Sequence, residues 1–160
     1  MKRKAIKLLN VKPFQETPGF CGPASLKMVL AYYGMRKSER ALARLAGATR
    51  NQGVEVPGLA KAARRLGFTV LIKDRATLAD IKRFVGKGVP VIVDWFSKDD
   101  GHYSVVVGIT QSTIYLQDPE IARVRAMDVK TFKRVWFDFP GDMLRSKNAV
   151  ILQRMLVVYR

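Results

Sequence analysis

This sequence is short of the residues that usually advertise chemistry: one cysteine and one histidine in 160 residues. A lone Cys21 cannot close an internal disulfide, which fits a reducing compartment. With a single histidine there is no cysteine–histidine cluster spaced for zinc, so neither a metal nor another cofactor is expected. Long apolar runs are missing too. The best candidates, "VPVIVDWF" and "MLVVY", have strand length and fall far short of the roughly 18 residues a spanning helix needs. The N-terminal "MKRKAIKLLNVKPF" is basic, but its apolar stretch is too short and too interrupted for a signal peptide. The expectation is a soluble cytoplasmic chain.

Acidic residues are scarce as well, 13 against 29 lysines and arginines, for a net charge of +16. Such a balance permits contact with nucleic acid, an anionic membrane surface or an acidic partner. Yet the basic residues of "KAARRLG" and "IKRFVGKG" fall where amphipathic helices meet water, and no nucleic-acid recognition motif accompanies them. A solvated basic surface is the simpler reading, and nucleic acid is not the expected partner.

What is present is a globular chain, 48% apolar, sized for one domain over residues 1–160 with one core. "KAIKLLNV" reads as a first strand and "PFQETPG" as a loop. From Gly22–Pro23 onward Ala24, Leu26, Met28, Val29, Leu30 and Tyr33 recur at helical spacing until Gly34, which places Cys21 at the N-cap. Further helices are expected in "SERALARLAG", "VPGLAKAARRLG" and "TLADIKRFVGKG", the last with Thr77 as cap and Asp80 three residues on. "FTVLI" reads as a strand between them. The second half, "VPVIVDWF", "HYSVVVGI", "STIYLQD" and "AVILQRMLVVY", is rich in β-branched runs, with one short helix in "DVKTFKRVW". Helices first and an antiparallel sheet after them define an α+β domain.

The single cysteine therefore stands at the start of an apolar helix, where unpaired backbone N–H groups and the positive end of the dipole favour a thiolate. A cysteine with only a packing role gains nothing there. A thiolate nucleophile needs a proton carrier, and His102 opens a strand after "DDG", both rigid and reachable. The imidazole in turn needs an orienting group. In "GHYSVVVGITQSTIYLQDPE" two apolar arms flank the polar turn Thr110–Thr113, so His102 and Asp118 arrive at the same end of a hairpin. Gln15, in the loop before Cys21, carries an amide suited to a developing oxyanion.

The order Gln15, Cys21, His102, Asp118 in an α-then-β chain resembles that of papain-like cysteine peptidases. "FQETPGFCGPASLKMVLAYYG", "VPVIVDWF" and "GHYSVVVGI…IYLQDPE" resemble more narrowly the bacteriocin-processing peptidases, domains of exporters that cut leader peptides after a double glycine. The resemblance runs from about Lys7 to Phe139. It implies a papain-like fold, Cys21 as nucleophile, His102 as general base and acid, Asp118 as orienting group and Gln15 as oxyanion donor. It also implies a peptide or protein substrate and a separate transporter as partner. The family often carries an acidic residue before the cysteine, where this chain has Phe20. Two other readings stand beside it: another acyl transfer through the same residues, deamidase- or transglutaminase-like, and a non-catalytic basic module binding peptide or nucleic acid.

Overall fold

The computed structural model describes residues 5–98 and 100–160. Helix α1 (Cys21–Tyr32) opens the ordered elements and is buried along most of its length, with Leu26, Val29 and Leu30 wholly inaccessible. Gly34 ends the run at φ +86°, a backbone state open to glycine without steric cost. Helix α2 (Glu39–Ala46) is capped by Ser38, whose hydroxyl accepts the Ala41 N–H, and closed by left-handed Gly47. Helix α3 (Val56–Arg65) takes Pro57 in its first turn, where no N–H is missed. Strand β1 (Thr69–Lys73) and helix α4 (Leu78–Gly86) follow; the expected Thr77–Asp80 capping box is formed in both directions.

Strands β2 (Val91–Ser97), β3 (Asp100–Ile109), β4 (Thr113–Asp118) and β5 (Arg123–Asp128) form a meander. After it come α5 (Val129–Val135), the short pair β6 (Phe137–Asp138) and β7 (Ile151–Leu152), and β8 (Met155–Tyr159). The main sheet is antiparallel throughout, in the order β1-β8-β2-β3-β4-β5. Helices α1 to α3 cover the face that carries Ile92, Val105, Val107, Leu156 and Val158. Ile81 of α4 and Phe132 and Trp136, in and just after α5, cover the opposite face, against Val91, Val93, Ile114 and Leu116. Alternation along β2 sends odd and even residues to these two cores.

Four expectations need correction. No strand forms over "KAIKLLNV", whose first residue lies outside the described residues. A bulge between Val106 and Gly108 disturbs the ladder to β4, and the Val107 carbonyl accepts the Leu9 N–H instead. That single bond ties the N-terminal segment to the sheet without making it a strand. Second, β3 begins at Asp100, because Ser97 pairs directly with Asp100 across a turn in which Lys98 adopts φ +52°. His102 is therefore the third residue of its strand. Third, "AVILQRMLVVY" is split between β7 and β8 by Gln153, at φ +50°, whose N–H turns to the Trp136 carbonyl. Fourth, Phe20 holds the N-cap position, Cys21 is the first helical residue and Pro23 lies two further in.

Truncating the centre of α1 is expected to be costly. Leu30→Ala should lower the unfolding free energy by about 2–5 kcal/mol in chemical denaturation. An unchanged denaturation midpoint would contradict the placement of α1 in the core.

Candidate active site

Cys21 owes its setting to what surrounds the start of α1. Phe20 has no side-chain group to cap the helix, so the first N–H groups are left for other acceptors. Gly22 is required by crowding: a Cβ there would come within 2.6 Å of Val54 Cγ1 and 3.2 Å of the Tyr103 ring. Tyr103 is fixed in turn by its hydroxyl, which donates to the Val54 carbonyl at 2.8 Å. The cysteine is thus half-buried on a rigid helix whose open end faces β3.

The β3–β4 hairpin brings His102 and Asp118 together as the arm lengths require. His102 Nε2 lies 2.6 Å from Asp118 Oδ1, both side chains being buried. An ionised carboxylate only accepts, so Nε2–H is the donor and Nδ1 is the ring nitrogen left for the thiol. Burial pulls the imidazole pKa down, but the Asp118 hydrogen bond and the adjoining Cys21 side chain outweigh it and raise it to about 10. The edge of Trp95 meets the ring at 5.5 Å between centroids and 76°, and its indole N–H is held by Ser104 Oγ at 3.0 Å. Water is thereby kept from that side of the imidazole.

Asp118 is wholly buried and fully partnered. Oδ1 accepts the Glu120 N–H at 3.0 Å as well as the imidazole, and Oδ2 accepts Arg125 Nε at 2.9 Å. Burial pushes its pKa up, yet His102, the Glu120 N–H and Arg125 more than offset this and hold the carboxyl below its ordinary range. His102, Asp118 and Glu120 offer ligand atoms within 4.8 Å of one another. The Asp118 oxygens are already taken by three donors, so the group is a saturated hydrogen-bond network with a guanidinium in it, a poor seat for a cation.

Gln15 arrives beside this network from the opposite direction. Its amide donates to the carbonyls of Glu120 at 2.8 Å and Pro119 at 3.2 Å, and the Glu16 N–H also bonds to Pro119. The loop before the cysteine is therefore laced to the turn after Asp118.

Residue patterns did not single out Arg125, Trp95, Glu16 or Glu120. Glu16 is half-buried among carboxylates: burial raises its pKa to about 7, His102 opposes this, and Glu120, Asp118 and Glu39 add to it. A second acidic pair flanks the histidine. Asp94 is buried, with Oδ1 unpartnered, and burial and Asp138 raise its pKa. Asp138 itself occupies the space that any side chain at Gly101 would need, which explains the glycine before His102.

The arrangement can do nucleophilic acyl chemistry: a thiol on a rigid mount, an imidazole held in one orientation, and a buried carboxylate that favours the imidazolium. Comparison with known proteins agrees with this. The model of the Peptidase C39 family matches residues 14–139. The pediocin PA-1 transport/processing ATP-binding protein of Pediococcus acidilactici is 32% identical over 120 residues, 72% of this chain and 16% of that protein. An uncharacterised protein of Methanothermobacter marburgensis is 36% identical over 109 residues, 66% of this chain and 68% of the other. The peptidase domain of Streptococcus ComA, a bi-functional ABC transporter involved in quorum sensing, superposes with a TM-score of 0.71 at 22% identity, covering 94% of this chain and 100% of that one, a likeness of fold. This chain spans only about a sixth of the pediocin relative. No helix among the described residues is long and apolar enough to cross a membrane. With the family model covering most of its length and the fold in agreement, the chain belongs to the Peptidase C39 family and is a cysteine peptidase.

Proposed function

We propose that Cys21 is the nucleophile, His102 the proton carrier, Asp118 its orienting group and Gln15, with the Cys21 N–H, the oxyanion donor. The observation that carries this is the buried 2.6 Å contact of His102 with Asp118 beside Cys21. His102 accepts the Cys21 proton, and the thiolate attacks the substrate carbonyl carbon. The resulting oxyanion is met by the unpaired N–H at the helix start and by a Gln15 N–H swung from the Pro119 carbonyl. The imidazolium then protonates the leaving amine, a thioester forms, and water, deprotonated by His102, releases the acid and the free thiol. Deamidation or transglutamination would share the thioester and differ only in the second substrate.

The substrate we infer is a leader-type peptide cut after small residues such as a double glycine, and the site of action the cytoplasm, next to a separate peptide transporter. The supporting likeness is to a transport/processing protein.

Substitutions should rank in order of these roles. On a fluorogenic peptide with Gly-Gly before the scissile bond, Cys21→Ala and His102→Ala should be inactive, since no second cysteine or histidine exists. Asp118→Asn should keep partial activity, and Gln15→Ala should lower kcat about a hundredfold with little change in KM. Normal turnover by Cys21→Ala would overturn the mechanism.

Arg125 gives a pH test. Asp118 is held ionised below its ordinary range, so its contribution persists above that range and is lost as pH falls through the depressed pKa. Arg125→Ala removes one source of the depression. The acid limb of the kcat/KM profile should move to higher pH, and an unmoved limb would show that Arg125 does not tune Asp118.

A further inference from the structure

Beside the loop that leads into the nucleophile lies a cavity of about 610 Å³ that none of the chemistry above uses. Thr17 and Phe20 form one wall, and Arg40, Arg44 and Arg50 line the other with Glu39. Its volume is that of a side-chain or small-ligand site. Phe20 is bonded directly to Cys21, so a peptide lying across the thiol in extended form, at about 3.3 Å per residue, passes this opening within a few residues.

The cavity is built to be positive. Arg40 and Arg44 stand four residues apart on α2, and so on one face of it. Arg50 is brought in by its own backbone, which lies so close to Gly19, at φ +89°, that no side chain fits there. Among the described residues none of the three guanidinium groups is in an ion pair. The single carboxylate of the lining, Glu39, has Oε2 accepting the Thr17 N–H at 2.9 Å. Three guanidinium groups against one carboxylate leave the lining net positive, and a further carboxylate relieves that while offering the flat, two-oxygen edge that guanidinium forks fit. Ala43, Ala48 and the Phe20 ring supply an apolar floor for a methylene stem. Glu16 and Glu120, by contrast, lie close to His102 and Asp118, outside this cavity.

We propose that this cavity is a specificity subsite for an aspartate or glutamate side chain of the peptide substrate, a few residues from the scissile bond. The inference rests on the peptidase reading of Cys21. It gives one part of the large positive charge a use and leaves the rest as solvated surface.

The test uses paired peptides that share one cleavage sequence and carry Glu or Gln at successive flanking positions. At one position kcat/KM for the Glu peptide should exceed that for the Gln peptide by roughly tenfold, the scale of a few partly exposed ion pairs. This ratio should fall toward one in an Arg40→Gln, Arg44→Gln, Arg50→Gln variant and with added salt. It should hold in Arg134→Gln, a control on the exposed face of α5. Arg44→Glu should shift preference toward a Lys peptide, which loss of folding cannot imitate. In parallel, calorimetry measures binding of the same peptides to Cys21→Ala. Arginine-dependent preference in binding, with no peptide cleaved by the wild type, would support the subsite and refute the peptidase reading. Cleavage with a Glu-to-Gln ratio near one at every position, or a ratio equally reduced by Arg134→Gln, would overturn the subsite and leave the peptidase reading standing. Absence of both cleavage and preferential binding would overturn the subsite as well.

Discussion

The hydrogen bond from His102 to the Asp118 carboxylate is the contact on which the rest of the site depends. It is buried, short and charge-assisted, conditions in which such a bond is strongest and a missing partner most costly. It fixes which ring nitrogen faces the thiol, and it keeps the imidazole protonated beside Cys21 well above neutral pH. Its neighbours act to hold it. Arg125 takes the second carboxylate oxygen, the Glu120 N–H shares the first, and Trp95 stands edge-on to the ring. The β3–β4 hairpin sets the distance, and α1, packed under the same sheet, brings the thiol to it.

That arrangement also orders the surrounding charge. The chain has few acids, and several are gathered near the histidine: Glu16, Asp94, Asp118, Glu120 and Asp138. Crowding and burial push Glu16, Asp94 and Asp138 toward their neutral forms, so the charge that faces the imidazolium is that of Asp118, kept ionised by His102, the Glu120 N–H and Arg125. Basic residues are by contrast spread over helices, strands and loops, and the three that line the cavity beside Phe20 are set apart by position, not by number.

The sequence was readable where the signal was local or where arm length alone fixed the geometry. Ser38, Thr77 and Gly47 mark helix ends by their own side chains or conformations, and all three do so in the structure. His102 and Asp118 meet because two strands of similar length share one turn. Arg125 escaped notice because β5, "RVRAMD", is an edge strand without the apolar alternation that marks a half-buried one. Trp95 lay unremarked in the strand run "VPVIVDWF", and only its register opposite His102 reveals its role. The lost N-terminal strand had the right pattern but the wrong partner, since a bulge in β3 offered it one carbonyl and no ladder. Gln15 lies against the turn after Asp118, its amide donating to two carbonyls there instead of waiting unpaired.

The most direct test of the account is the rate of Cys21 alkylation by iodoacetamide as a function of pH, in the wild type and in His102→Ala. With His102 present to take the thiol's proton the reaction should be fast in the neutral range, and removing His102 should slow it there. Superimposable profiles for the two proteins would show that His102 does not prepare Cys21, and the account of the site would fail.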